Sequence, residues 1–79
     1  MYKEEFMANC DMRWGILKRK KETYGEAWRE YHIETLLKLA IDRMSEVGMV
    51  YNDTGEIDRD NLIDTMNFLD MVLIRMGEL

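Results

Sequence analysis

Asp60, Asp64 and Asn67 stand at i, i+4 and i+7 near the end of the chain. That spacing puts all three on one face of a helix. Two carboxylates one turn apart repel each other, so a helix that only has to pack gains nothing from them. Either water screens them or a cation sits between them. Acids one turn apart on facing helices make a bundle site for Mg²⁺, a hard ion that takes oxygen ligands, keeps several waters and bridges to phosphate. Glu34 and Asp42 lie on an earlier helical stretch and supply facing acids. Asp64, Asp60, Glu34 and Asp42 are therefore the candidate metal ligands. Asp60 also has a plain structural use, because in the first turn its carboxylate meets the positive end of the helix dipole. Asp64 gains little from that dipole and flanks an apolar stripe. Asn67 and Asp70 interrupt the line from Ile63 to Ile74. Each must bond across a helix interface or face a cavity, since a buried polar group without a partner costs about 1–3 kcal/mol.

No other chemistry competes. Cys10 is the single cysteine and His32 the single histidine, so no paired ligand set exists. There is no Gly-rich phosphate loop and no nucleophile–His pair in evident reach. His32 reads as a surface group at the start of a helix.

Three helices must position these groups. The third, Asp58 to Met76, carries an apolar seam of Leu62, Met66, Leu69, Leu73 and Met76 and reads as the longest. Asp58 is its N-cap and Gly77 its stop. The first helix covers residues 2 to about 22, with Tyr2, Phe6, Cys10, Trp14 and Leu17 at helical spacing. Lys18, Arg19, Lys20 and Lys21 complement the negative end of its dipole. Gly25 breaks it. The connector that follows carries Tyr24, Trp28 and Tyr31, more aromatic surface than a solvated loop uses, so these rings pack on the bundle or on a flat ligand. The second helix covers 32 to about 49, with Ile33, Leu36, Leu37, Ala40, Met44 and Val47 as its buried face. A connector from Gly48 to Gly55 ends it with the turn signal Asn52-Asp53-Thr54-Gly55.

The fold class is thus all-α, one domain over residues 1–79, a three-helix unit that completes its bundle by dimerisation or tetramerisation. A chain of 79 residues buries a modest fraction of its surface and is marginal alone. The absence of proline favours long helices, and an apolar fraction of 47% with 34% charged residues argues against disorder. A net charge of −5 speaks against nucleic acid as a partner, including contact through Lys18 to Lys21. No segment approaches the ~18 apolar residues of a membrane span. No signal peptide is visible, and the cytoplasm is the default setting. The eight Met residues suit an adaptable core or interface.

Three stretches in succession resemble a known family. They are Lys21-Glu22-Thr23-Tyr24-Gly25-Glu26-Ala27-Trp28, then Lys38-Leu39-Ala40-Ile41-Asp42-Arg43, then Asp60-Asn61-Leu62-Ile63-Asp64-Thr65-Met66-Asn67-Phe68. Their order resembles the MazG-like, all-α NTP pyrophosphohydrolase superfamily, in particular its small, often phage-encoded branch with a K-x-x-[DT]-Y-G-x-[AS]-W stretch. The resemblance covers residues 18 to 76. It implies an oligomeric helical bundle in a cytoplasm (the host's, if phage-encoded) and Mg²⁺-dependent cleavage of a nucleoside triphosphate to monophosphate and pyrophosphate. It implies Asp64 as the acid of the third-helix motif. It implies Lys21, Tyr24, Trp28, Lys38, Arg43 and Asn67 as nucleotide-side residues. The pattern departs in places: Leu37 and Lys38 stand where acids would help, Asn61 stands three residues before Asp64, and Asp60 is one position out of step. The acidic site is therefore reduced, and no catalytic residue is assigned. A second reading fits the missing acids and the Met-rich seam: a non-catalytic helical oligomerisation module that has lost the metal site.

Overall fold

The computed structural model describes residues 2–78, apart from the side chain of Tyr24. Three α-helices and one short 3₁₀ turn follow in order: α1 over Tyr2–Tyr24, the 3₁₀ turn over Ala27–Glu30, α2 over Ile33–Thr54 and α3 over Arg59–Met76. The described residues contain no strand. No described helix is long and apolar enough to cross a membrane.

Local chemistry explains each boundary. α1 ends where Gly25 takes a φ of 71°, and its N–H closes the last turn on the Lys21 carbonyl at 2.8 Å. A residue without a Cβ enters that left-handed region at no steric cost. His32 is the N-cap of α2 but gives no side-chain cap bond. Asp58 caps α3 in full: Oδ1 accepts from the Asn61 backbone N–H at 3.2 Å and Oδ2 from Asn61 Nδ2 at 2.7 Å.

α2 does not stop at Gly48 as its composition suggests. It runs on through Asn52-Asp53-Thr54 to Gly55, whose φ of 73° supplies the left-handed stop. An interior Gly costs about 1 kcal/mol. Burial of Val47 just before it holds the helix through that point. The extension leaves only residues 55–58 to turn the chain, so α2 and α3 form a tight antiparallel hairpin. It also corrects the expected lengths: α1 has 23 residues and α2 has 22, against 18 for α3.

The core lies between α2 and α3, the closest-packed pair of elements. Leu36 is 0% exposed against Met71 and Val72, and Leu17, Trp28, Ile33 and Phe68 pack around them. α1 is attached to α3 more sparsely. Its polar fixings include the Arg13–Asp70 and Lys20–Asp64 ion pairs. Seven residues forward on α1 match six backward on α3, so these two helices also run in opposite senses.

The apolar seam of α3 is corrected. Met66, Leu69, Leu73 and Met76 are exposed and Leu62 half-buried, whereas Ile63, Thr65, Asn67, Met71 and Val72 are buried. On α2 the expected face splits in the same way, with Leu36, Ala40 and Val47 buried but Leu37 and Met44 exposed. In α1, Tyr2, Phe6 and Trp14 are exposed.

Candidate functional site

Most of the basic run of α1 turns toward the connector. Lys18, Lys20 and Lys21, with Arg29 from the 3₁₀ turn, line a cavity of about 510 Å³. Trp14 and Leu17 of α1, Trp28 and Tyr31 of the connector and Phe68 and Met71 of α3 give it apolar walls. Glu26 is the only carboxylate among the described lining residues. The cavity therefore joins flat aromatic surface to four cations, on a chain whose net charge is −5.

The connector is held in place by α3. Arg75 Nη1 donates to the Trp28 carbonyl at 3.1 Å and to the Tyr31 carbonyl at 2.5 Å, while its Nε faces Glu78 at 3.3 Å. A charged donor on two carbonyls is stronger than a neutral one. The Arg29 guanidinium lies 4.5 Å from the centre of the Trp28 ring and within 3.6 Å of Glu26. Lys21 faces the same Glu26 carboxylate at 3.5 Å. Trp28 is thus fixed from three sides: its body in the core, its carbonyl on Arg75 and its face under Arg29.

Asp64 donates nothing to the cavity wall. Its Oδ1 accepts from Lys20 Nζ at 2.6 Å, beside a small void of about 40 Å³ that Asn67 and Phe68 also line. Asn67 is 7% exposed and reaches across the helix interface, its Nδ2 donating to the Arg13 carbonyl at 3.5 Å. Asp70 bonds the same residue through the Arg13 guanidinium. Of the two roles open to Asn67 and Asp70, both take the interhelical bond, and Asn67 also borders the void. Burial works against the Arg13 charge, but its bonds to Asp70 and Cys10 outweigh this and hold its pKa above the ordinary value. Arg13 Nε is buried with no partner among the described residues.

The four expected metal ligands do not converge within one chain. Leu36 packs at Met71 and Val72, so Glu34, two residues earlier on α2, lies toward the C-terminal end of α3. Asp64 is seven residues before Met71, about 10 Å along the axis in the other direction. Asp42 reaches nearer that level but is exposed, two residues past the buried Ala40 and so on another side of α2. Asp60 is exposed in the first turn of α3, and Asp64 is neutralised by Lys20. Among the described residues no three acids, histidines or cysteines are grouped to hold a metal ion. The residues present do not fit a resident Mg²⁺ site in the single chain.

No family model, curated protein or solved structure matches this chain.

Of the expected nucleotide-side residues, Lys21 and Trp28 line the cavity. The Tyr24 side chain lies outside the described residues. Asn67 borders the neighbouring void, one residue from Phe68, which lines both spaces. Lys38 and Arg43 are exposed on α2 and line neither. Trp14, Lys18, Lys20, Arg29 and Phe68 are among the lining residues that the sequence did not mark as site candidates. One sequence signal pointed to Trp14 and Lys18. Trp14, Leu17, Lys18 and Lys21 recur at three- and four-residue steps, a stripe that is apolar at one end and cationic at the other.

Proposed function

We propose that this chain binds a nucleoside phosphate in the cavity between the basic end of α1, the connector and α3. The observation that carries the reading is the pairing of Trp14, Trp28 and Phe68 with Lys18, Lys20, Lys21 and Arg29 around one space of about 510 Å³. A base is flat and finds stacking surface on such rings, and a phosphate chain is anionic and finds donors in such cations. The volume lies within the range of small-molecule sites. The resemblance of the Lys21–Trp28 stretch to the MazG-like superfamily points to the same class of ligand.

The proposal ends at binding. Cleavage of a triphosphate by a metal-held water requires acids that converge on the phosphate. The nearest acid that the motif implies, Asp64, is engaged by Lys20. No catalytic step is therefore assigned to these residues. The missing acids also fit the second reading, a non-catalytic helical oligomerisation module that has lost the metal site.

Titration of ATP and of inorganic triphosphate into the protein, followed by heat and by tryptophan fluorescence, tests the reading. The nucleotide is expected to bind and to quench, through Trp14 and Trp28, more than triphosphate does. Mg²⁺ is added in a parallel series with pyrophosphate release as readout. No heat and no fluorescence change up to millimolar nucleotide would sink the binding proposal.

A further inference from the structure

The one acid among the described residues of the cavity wall, Glu26, stands between two of its cations. A single oxygen, Oε1, lies 3.5 Å from Lys21 Nζ and 3.6 Å from Arg29 Nε. Lys21 belongs to the last turn of α1 and Arg29 to the 3₁₀ turn, so the carboxylate bridges two elements. A negative oxygen shared by an ammonium and a guanidinium also marks the place a phosphate oxygen would take.

The hold on Glu26 is loose. Charge-assisted hydrogen bonds close to about 2.7–2.9 Å, and both separations exceed that. All three side chains are exposed by 40% or more, where ion pairs add little to stability. Glu26 is the N-cap of the 3₁₀ turn, yet its side chain makes no cap bond. Its backbone is fixed separately, the carbonyl accepting from the Arg29 N–H at 3.0 Å. The carboxylate can therefore swing out by side-chain rotation without disturbing the turn.

The two cations are held by other means. The Arg29 guanidinium lies 4.5 Å from the centre of the Trp28 ring, and its Nη1 faces Glu78 Oε1 at 3.8 Å. Lys21 rises from a helical turn that the Gly25 N–H closes on its carbonyl at 2.8 Å. Departure of Glu26 leaves both in place and open to another anion.

We infer that Glu26 is a tethered occupant of the anion subsite, displaced by the phosphate of the ligand. The inference rests on the nucleotide reading of the cavity and adds to it a residue that sets which anions enter. A carboxylate fixed to the turn acts at high effective concentration, so a weakly held monoanion such as chloride does not dislodge it. A phosphate monoester carries about −1.5 to −2 charge at neutral pH and three acceptor oxygens, and it reaches both cations at once. The cost of displacing Glu26 is the same whatever base the phosphate carries. A neutral nucleoside does not displace it.

Tryptophan-fluorescence titration of adenosine, AMP and ATP into the wild type, Glu26→Gln and Glu30→Gln tests the inference. Glu30 lies in the same turn, is exposed and does not line the cavity, so its variant removes one net charge away from the subsite. Glu26→Gln is expected to tighten AMP and ATP about five-fold, the order of one like-charge contact at a partly exposed site, and to leave adenosine unchanged. Added chloride is expected to weaken AMP binding more steeply in that variant than in the wild type. Glu30→Gln is expected to stay within about two-fold of the wild type for all three ligands, because a distant exposed charge is screened. A second measurement uses the wild type alone: the carbon resonance of the Glu26 carboxyl is expected to move on addition of AMP and to stay put with adenosine. A wild type that binds AMP while Glu26→Gln binds it equally or more weakly overturns this inference and leaves the nucleotide reading standing. So does a Glu26 resonance that AMP does not move, which decides the matter if the variant fails to fold. Failure of both proteins to bind any of the three ligands overturns the nucleotide reading and this inference together.

Discussion

Lys20 Nζ stands 2.6 Å from Asp64 Oδ1, across the junction of α1 and α3. The acid that the sequence marks most strongly for a cation has therefore found one within its own chain. Lys20 also lines the cationic cavity. The ion pair thus ties the acidic wall of α3 to the basic end of α1 and restrains one of the donors a phosphate would meet.

Asp64→Asn follows from that relationship. Both partners are partly exposed, so the pair is screened and the stability lost is on the order of 0.5 kcal/mol. A free Lys20 can then turn to the cavity, and nucleotide affinity is expected to rise a few-fold. Thermal melts and nucleotide titration of the variant check both signs. A large fall in affinity would instead make Asp64 a direct ligand and return the metal reading.

Leu36→Ala measures the core. Leu36 is 0% exposed against Met71 and Val72 and is the largest fully buried side chain among the described residues. Truncation removes its transfer free energy and leaves a cavity, a loss of about 2–5 kcal/mol. Urea denaturation is expected to report most of the stability of so small a domain gone. Lys38→Ala, exposed two residues further along, is expected within about 0.5 kcal/mol of wild type.

Two glycines are expected to answer in opposite directions. Gly48 lies inside α2 with open space around a Cβ, so Gly48→Ala gains about 0.5–1 kcal/mol through helix propensity. Gly55 holds a φ of 73°, where an L side chain is strained, so Gly55→Ala loses about 1 kcal/mol. Melting midpoints of the two variants, measured at one protein concentration, check the signs.

The existence of three helices was legible because nothing in the sequence interrupts them: no proline, and glycines at Gly25, Gly55 and Gly77 where turns occur. The Asp58 cap was legible for the same local reason. The buried faces were not. Periodicity marks Leu62 to Met76 as a surface that avoids water, but it does not say whether the cover comes from the same chain. The fold instead buries Ile63, Asn67 and Met71, and it accepts Asn67 there because the Arg13 carbonyl lies opposite. The cavity was half legible. Lys21 and Trp28 stand on a contiguous motif, whereas Lys18, Lys20 and Phe68 meet it only through the α1–α3 packing, which joins residues some fifty positions apart. The facing of Glu34 with Asp64 failed because a short connector fixes which ends of an antiparallel pair meet, and these two residues lie at opposite ends.

Arg75 supports the pocket without touching it. Its guanidinium is half-buried, donates to the Trp28 and Tyr31 carbonyls and faces Glu78, and so pins both ends of the segment that carries the aromatic wall. Hydrogen bonds from a charged donor contribute about 1.5–3 kcal/mol, and removing this donor leaves two carbonyls to find water. Arg75→Ala is therefore expected to cost about 2 kcal/mol in urea unfolding and to loosen residues 25–32 before the helices melt. Limited trypsin digestion reads the local effect, because Arg29 sits inside the pinned segment. Cleavage after Arg29 should precede cleavage in α2 in the variant, but not in the wild type. Nucleotide binding should weaken in step with that cleavage. Equal protection of Arg29 in both proteins would mean that the connector is held by the packing of Trp28 on Leu36 and Met71, with Arg75 contributing only charge.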